Sequence, residues 1–426
     1  MLEKESRMDK EVVIILLIFS VTALCIFPYE EALCSIDSPQ MVMDERGNIY
    51  VVWTGWQESV SNNGNIYWMR VDASGNPGAV KMISTHPDNT MMANEVPQIA
   101  VDASGNSYVV WKGSDGNDDE IYWVRIDASG NPGMVKKIST HKDNAENDDG
   151  FQQIATDLMG NSYVVWRGWL IRNEISEIYW VRIDASGNPG EVERIHCESN
   201  YGIPYIVVDV SGNSYVVWGG NDGNDYEIYW VKVDASGSPG DVKKISTHKD
   251  NEETDDFDPH IALDVSGNSY VVWKGCFGGS CWNAVGNYEI YWVKVDASGN
   301  PGEVKKISTR KDNEGHHNYA PQIAVDTVGN SHVVWFCKGN HSYEIYWVGV
   351  DASGNPGKVK KISTYEESEI FDDFDPHIAV DASGNSYVIW ESGPLSGDEY
   401  YLCNICWIKI DTMGNFAETK KIFSCC

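Results

Sequence analysis

The sequence predicts an all-β fold: a seven-bladed β-propeller with four antiparallel strands per blade. Three observations carry that expectation. A phrase close to P-Q-I-A-V-D-x-S-G-N-S-Y-V-V-W, followed by E-I-Y-W-V-K-V-D-A-S-G-N-P-G and V-K-K-I-S-T, recurs seven times, from Pro39, Pro97, Gln152, Pro204, Pro259, Pro321 and Pro376. Each copy holds four short β-rich segments, and none has helical period. Apolar residues fall on both faces of these segments, so each sheet must be covered on both sides.

A period of 52 to 62 residues marks a supersecondary unit stacked many times. Four-stranded sheets arranged radially, each between two neighbours, supply the double cover. A β-solenoid ranks second, because its repeats are shorter and less hairpin-like. In the second copy the segments are Gln98 to Val101, Ser107 to Trp111, Glu120 to Ile126 and Val135 to Ser139.

The first and third connections share the pattern Asp-x-x-Gly, as in Asp102 to Gly105 and Asp127 to Gly130. Asp at the first corner and Gly at the fourth suit a type I turn closed by a left-handed glycine. The middle residues vary, as in Glu45-Arg46, Leu158-Met159 and Thr327-Val328, while Asp and Gly stay. Asp44, Asp102, Asp157, Asp209, Asp264, Asp326 and Asp381 are therefore assigned to turn chemistry in preference to calcium ligation.

The repeat tiles the chain from residue 36 to 426 without a linker, which predicts one closed domain. An apolar fraction of 42% and 17 Trp supply its core, with fourteen of the Trp inside the repeat. A net charge of -31 excludes nucleic acid and anionic membrane surfaces as partners, and leaves cations and a carbohydrate or protein ligand. Residues 1–35 stand apart. Val12 to Phe27 is an apolar run behind Lys4, Arg7 and Lys10, with Ala32-Leu33-Cys34 as a cleavage site. This reads as a signal peptide or N-terminal signal anchor, so the expected location is secreted or cell surface, with membrane contact only through an uncleaved N-terminal segment.

Export permits disulfides. The ten Cys do not follow the repeat. Cys276 and Cys281 bracket a Gly-rich insertion in the fifth copy, where a bridge would cinch the loop, and Cys403 and Cys406 open a strand facing the end that carries Cys425 and Cys426. Those last four suit a disulfide staple or, alternatively, zinc.

The stretch I-Y-W-V-K-V-D-A-S-G-N-P-G-E-V-K-K-I-S resembles the strand, Asp-box turn and strand of sialidase-like propellers, with Asp127, Asp184, Asp234, Asp296 and Asp351 at the box aspartate. The box is degenerate. Asn131-Pro132 stands where Thr-Trp would, and the last copy reads Asp411-Thr412-Met413-Gly414. The first stretch of each copy also resembles NHL-type propeller repeats. Both resemblances imply the fold and transfer no function. A sialidase would need three Arg to clamp a carboxylate, a Tyr nucleophile with a Glu partner, and an Asp acid. Arg70, Arg125 and Arg182 share one repeated strand position that is read as Lys elsewhere, Arg7 precedes the domain, Arg46 sits in a hairpin turn, Arg167 and Arg310 are read at repeated loop positions, only Arg172 and Arg194 are left over, and the first strands are read as free of Arg and Glu. Sialidase chemistry is therefore not expected, and no carboxylate pair stands out for glycosidase chemistry.

Binding usually resides in loops that vary on a rigid scaffold. Here those are the acidic loops between second and third strands and between copies. The second residue of each first strand forms the candidate ligand set: Gln40, Gln98, Gln153, Tyr205, His260, Gln322 and His377. His260 and His377 each end an Asp-Asp-Phe-Asp-Pro-His phrase, which makes Asp255, Asp258, Asp372 and Asp375 the candidate metal ligands, with calcium the expected ion. The loops Ser-Thr-His-x-Asp-Asn, at His86 to Asn89, His141 to Asn144 and His248 to Asn251 with Arg310 in a fourth copy, suit a multivalent surface. The expected function is an exported binding or adhesion propeller. The alternatives are a carbohydrate-active enzyme, hydrolase or lyase, using His260, His377 and Tyr205, and a structural envelope protein.

Overall fold

The computed structural model describes residues 33–424 apart from positions 45 and 382 and the segments 58–63, 87–92, 141–146, 171–174, 196–201, 248–254, 278–286, 310–316, 339–341, 364–370, 397–398, 401–403 and 417–418. Every regular element among the described residues is a strand. They form seven antiparallel sheets, each built from one copy's strands in chain order, as a seven-bladed β-propeller requires. In the seventh sheet the short strand Glu399–Tyr400 also pairs with the second strand. The chain divides into two compact units, residues 1–216 with 233–240 and residues 217–232 with 241–426, and the division passes through the fourth sheet.

In the second sheet the strands are Asn94–Val101, Ser107–Ser114, Asp119–Ile126 and Lys136–Lys137. Within the first unit, Leu33–Met43 packs on Asn94–Val101, which packs on Asn147–Thr156. Within the second, Asp255–Leu263, Asn318–Val325 and Phe371–Val380 pack in the same succession.

The expectation of two apolar faces holds at the core. The second-strand tryptophans Trp53, Trp111, Trp166, Trp218, Trp273, Trp335 and Trp390 are all buried. Six of them stack on the third-strand tyrosine of their own sheet, with centroids 5.8 to 6.2 Å apart, as in Trp111 on Tyr122 and Trp273 on Tyr291. The third-strand tryptophan serves the other face. Its indole N–H crosses to the serine that opens the next sheet's second strand: Trp68 to Ser107, Trp123 to Ser162, Trp180 to Ser214, Trp230 to Ser269 and Trp292 to Ser331, at 3.0 to 3.3 Å.

The Asp-x-x-Gly turns close as the sequence implies. Gly105, at φ +85°, donates to the Asp102 carbonyl, and the Asp102 carboxylate accepts from Ser104 N and Asn106 N at 2.9 Å. Its second oxygen accepts from Asn106 Nδ2 and from the Tyr108 hydroxyl, both at 2.8 Å. These bonds outweigh the cost of burial for the carboxylates of Asp44, Asp157, Asp209, Asp264 and Asp381, which are held below the usual range. The asparagine then ties the two turns of one sheet together, since Asn106 Oδ1 accepts from Ala128 N at 3.1 Å.

Two features depart from the sequence reading. The fourth strand shrinks to a two-residue pairing in five sheets, because the serine of the Ile-Ser-Thr phrase takes over the ladder: Ser139 Oγ accepts from Ile121 N, and Ser246, Ser308 and Ser363 repeat the bond, all at 2.9 Å. The first strand starts earlier than the Pro-Gln phrase and brings Glu95 into it. At the phrase itself two residues oppose one: Glu95 pairs with Lys112 and Gln98 with Val110, so Val96 and Pro97 bulge opposite Trp111. The first bulge residue takes a left-handed backbone, φ 45° to 57°, at Ser38, Val96, Phe151, Asp258, Ala320 and Asp375. For residues other than glycine this costs about 1–3 kcal/mol each.

Residues 1–32, which carry the expected signal segment, lie outside the described residues. No helix among the described residues is long and apolar enough to cross a membrane. Cys276 is buried, and Cys281 lies outside the described residues. Cys337 and Cys406 are buried thiols that are not joined in a disulfide, so the expected staple does not use Cys406. Cys403, Cys425 and Cys426 lie outside the described residues.

The hydroxyl bond to the turn aspartate is expected to matter wherever it occurs. Tyr108→Phe should lower stability by about 1–2 kcal/mol in denaturant unfolding, because it leaves a buried carboxylate oxygen short of a donor. A change within error would show the bond to be dispensable.

Candidate functional site

The bulge sets the site's geometry. It brings the left-handed residue of the first strand beside the residue that follows the tryptophan in the second strand. In the fifth sheet Asp258 and Lys274 meet there in an ion pair of 2.6 Å. This end of each sheet is opposite its Asp-x-x-Gly turns, where the second and third strands connect.

In the second unit this end carries a run of half-buried aromatic rings. At three successive seams a tyrosine at the start of a third strand meets an aromatic residue of the next copy's first strand. Tyr226 meets Phe257 at 4.9 Å, Tyr288 meets Tyr319 at 5.4 Å, and Tyr343 meets Phe374 at 5.0 Å. Lys274 joins the first pair to the second, with its ammonium 5.9 Å from the Phe257 centroid, 5.3 Å from Tyr288 and 5.9 Å from Tyr319. Phe336 joins the second to the third, 5.3 Å from Tyr319 and 5.8 Å from Phe374. The result is a continuous aromatic arc. The first unit has a smaller counterpart, in which Arg167 lies 4.2 Å from the Phe151 ring and 5.9 Å from Trp169.

The seventh sheet ends the arc with an acid. Glu391 stands opposite Phe374 in the ladder, at the position held by Lys274 in the fifth sheet, and Asp375 stands where Asp258 does. The ion pair has been replaced by two carboxyl groups. Burial, with the Asp375 charge adding to it, pushes Glu391 up to about 7. This pair was not found by sequence reading. Its position holds Thr54, Lys112, Arg167, Gly219, Lys274, Phe336 and Glu391 in the seven copies, so no motif marks it.

The ligand residues expected from sequence occupy one register position. Gln40, Gln98, Gln153, His260, Gln322 and His377 pair with Val52, Val110, Val165, Val272, Val334 and Ile389. Tyr205 opens Tyr205–Val208 in the first unit. In the second unit the structure brings His260 and His377 within electrostatic reach of each other. Burial, with the charge on His377 adding to it, pulls His260 down to about 4. His377 keeps an exposed edge, yet burial lowers it also, against the raising effect of Asp375. Both imidazoles are neutral at pH 7.

The four expected metal ligands do not converge on one point among the described residues. Asp255 accepts from Tyr226 N at 3.2 Å, and Asp372 from Tyr343 N at 2.7 Å, so each ties its strand to the preceding copy. Asp258 is paired with Lys274, and Asp375 lies near Glu391. Two other carboxylate groups do converge: Asp115, Asp118 and Glu120 in the first unit, and Asp222, Asp225 and Glu227 in the second. A lysine already sits in each. Lys137 reaches Glu120 at 2.6 Å and Asp115 at 3.1 Å, and Lys244 reaches Glu227 at 2.7 Å and Asp222 at 3.2 Å. Their donor sets suit that ammonium better than calcium. Among the repeated His loops, His86 packs on Tyr122 at 5.1 Å, and the segments of His141, His248 and Arg310 lie outside the described residues.

No protein-family model matches the chain, and no curated protein matches it. Solved structures do. The polysaccharide lyase Uly1 is similar with a TM-score of 0.54 at 8% identity, over 90% of this chain and 91% of that one. The β-propeller domain of the Trilobed protease from Pyrococcus furiosus has a TM-score of 0.51 at 12% identity, over 92% and 97%. Likeness at this identity establishes the fold.

Because Glu391 is raised in the folded chain, its ionisation opposes folding. Its contribution to stability is full near pH 4 and declines as pH climbs toward and past 7. Glu391→Gln mimics the protonated form. The variant should match the parent's melting temperature near pH 4 and exceed it at pH 8; equal values at both would refute the shift.

Proposed function

We propose that this chain is an exported propeller that binds a carbohydrate chain along the aromatic arc. The observation that carries this reading is the repetition of a ring pair, Tyr226 with Phe257, Tyr288 with Tyr319 and Tyr343 with Phe374, at three successive seams. Flat, half-exposed rings offer π-faces to the C–H faces of pyranose rings, and a repeated pair suits successive residues of one chain. Gln322, His260, His377 and Asp375 supply hydrogen-bonding groups from the same three sheets. A net charge of -31 favours a neutral or basic saccharide. The lyase Uly1 provides a precedent for polysaccharide chemistry on this fold, though not for any residue.

A second reading rests on Glu391. A carboxyl group pushed up to about 7, beside a second carboxyl group, is the kind of pairing that glycosidic hydrolysis uses. Glu391 would give its proton to the glycosidic oxygen as the C1–O bond breaks, and Asp375 would take a proton from the water that attacks C1. In this reading a polysaccharide bound to the arc yields new reducing ends, and Glu391→Gln stops their release while binding persists.

Binding to a panel of neutral and amino oligosaccharides, followed by calorimetry on the best ligand, tests the main reading. Tyr343→Ala and Phe374→Ala should each weaken binding about tenfold with little change in folding. Full affinity in both variants, or no binding to any saccharide, would overturn it.

A further inference from the structure

The sixth copy breaks the seam architecture in one place. Six copies put tyrosine after the first residue of the second strand, and its hydroxyl donates to the turn aspartate at 2.8 to 3.1 Å. Six copies also put Arg or Lys opposite that tyrosine on the third strand: Arg70, Arg125, Arg182, Lys232, Lys294 and Lys409. In at least four of them that cation lies over the tyrosine ring, as Lys294 does over Tyr270 at 5.0 Å and Lys409 over Tyr387 at 5.2 Å. Arg70 also donates to the carbonyl of Ala128 in the next copy's turn, at 2.9 Å. The sixth copy has His332 and Gly349 instead, paired in register. This corrects the sequence reading of Lys at every other copy.

The double replacement opens a cavity of 770 Å³, where the equivalent seams beside Arg70, Arg125 and Lys294 leave 410 to 440 Å³. It also leaves polar groups unserved. Asp326 Oδ2 keeps Asn330 Nδ2 at 2.8 Å and lacks the hydroxyl; His332 Nε2, at 3.9 Å, is beyond hydrogen-bond distance. His332 Nδ1 lies 2.8 Å from Ser386 Oγ, the serine that by position should accept from Trp347. Trp347 lines the cavity, is 6% exposed, and its Nε1 is buried with no hydrogen-bond partner.

We propose that this seam binds a small hydroxylated amine. Its hydroxyl replaces the missing tyrosine hydroxyl at Asp326 and accepts from the buried indole N–H. Its ammonium replaces the missing Lys or Arg nitrogen near Thr412, the next copy's counterpart of Ala128, and its body fills the space over His332 and Trp347. A phenolic alkylamine and an amino sugar share this chemistry. The site is independent of the aromatic arc.

The test uses the whole chain with tyramine and with glucosamine, at millimolar concentration, read as melting-temperature shifts. One of the two should raise the melting temperature by about 2 °C or more, and which one does so identifies the source. Two single variants restore what the other copies carry, His332→Tyr and Gly349→Lys, and each should cut the shift at least fivefold. If one fails to fold the other decides, and the Tyr343→Ala variant should keep the full shift. Absence of a shift with both amines in the parent chain, or an equal shift in a folded restored variant, would overturn the proposal.

Discussion

The structure depends on a carboxylate that never leaves its turn. In each copy the aspartate of the first hairpin accepts two backbone N–H groups and an asparagine amide, as Asp44 does from Arg46, Asn48 and the Asn48 side chain. In six copies it also accepts a tyrosine hydroxyl from the second strand. A buried anion would be costly, but one with four donors is satisfied, and it fixes the register of the hairpin and the position of the tyrosine. The ring then carries a cation that reaches toward the next copy. A two-faced apolar sheet needs neighbours at a fixed distance, and this chain of contacts sets it.

Much of that was legible in the sequence. Asp and Gly at a constant spacing with variable residues between them mark a turn requirement, and Asp157-Leu158-Met159-Gly160 shows how little the middle matters. Paired apolar faces led to stacked sheets for a physical reason, since unburied Trp111 and Tyr122 would have no cover. The bulge was not legible. A residue before proline favours extended backbone, so Val96-Pro97 reads as the start of a strand, whereas the ladder holds Val96 left-handed at φ 51°.

The candidate site was hidden because it is assembled from positions where the copies disagree. Tyr226, Tyr288 and Tyr343 share one repeat position, and Phe257, Tyr319 and Phe374 share another, while the earlier copies hold Gly64, Asp119 and Ser176 at the first. Aligning the copies against each other would have exposed the aromatic run. It could not have shown that the two positions face each other across a seam. Glu391 and Gly349 illustrate the same limit. Each departs from what the other copies hold at its position, and its meaning comes from the residue it stands beside. Shared residues build the sheets, and the departures from them make places where a ligand can sit.

The most direct measurement is a crystal structure of the protein bound to its preferred oligosaccharide. Sugar rings are expected to stack on Tyr288, Tyr319, Tyr343 and Phe374, with the saccharide chain's end near Glu391. An oligosaccharide ordered instead on the Asp-x-x-Gly turns, with those four rings bare, would contradict that expectation.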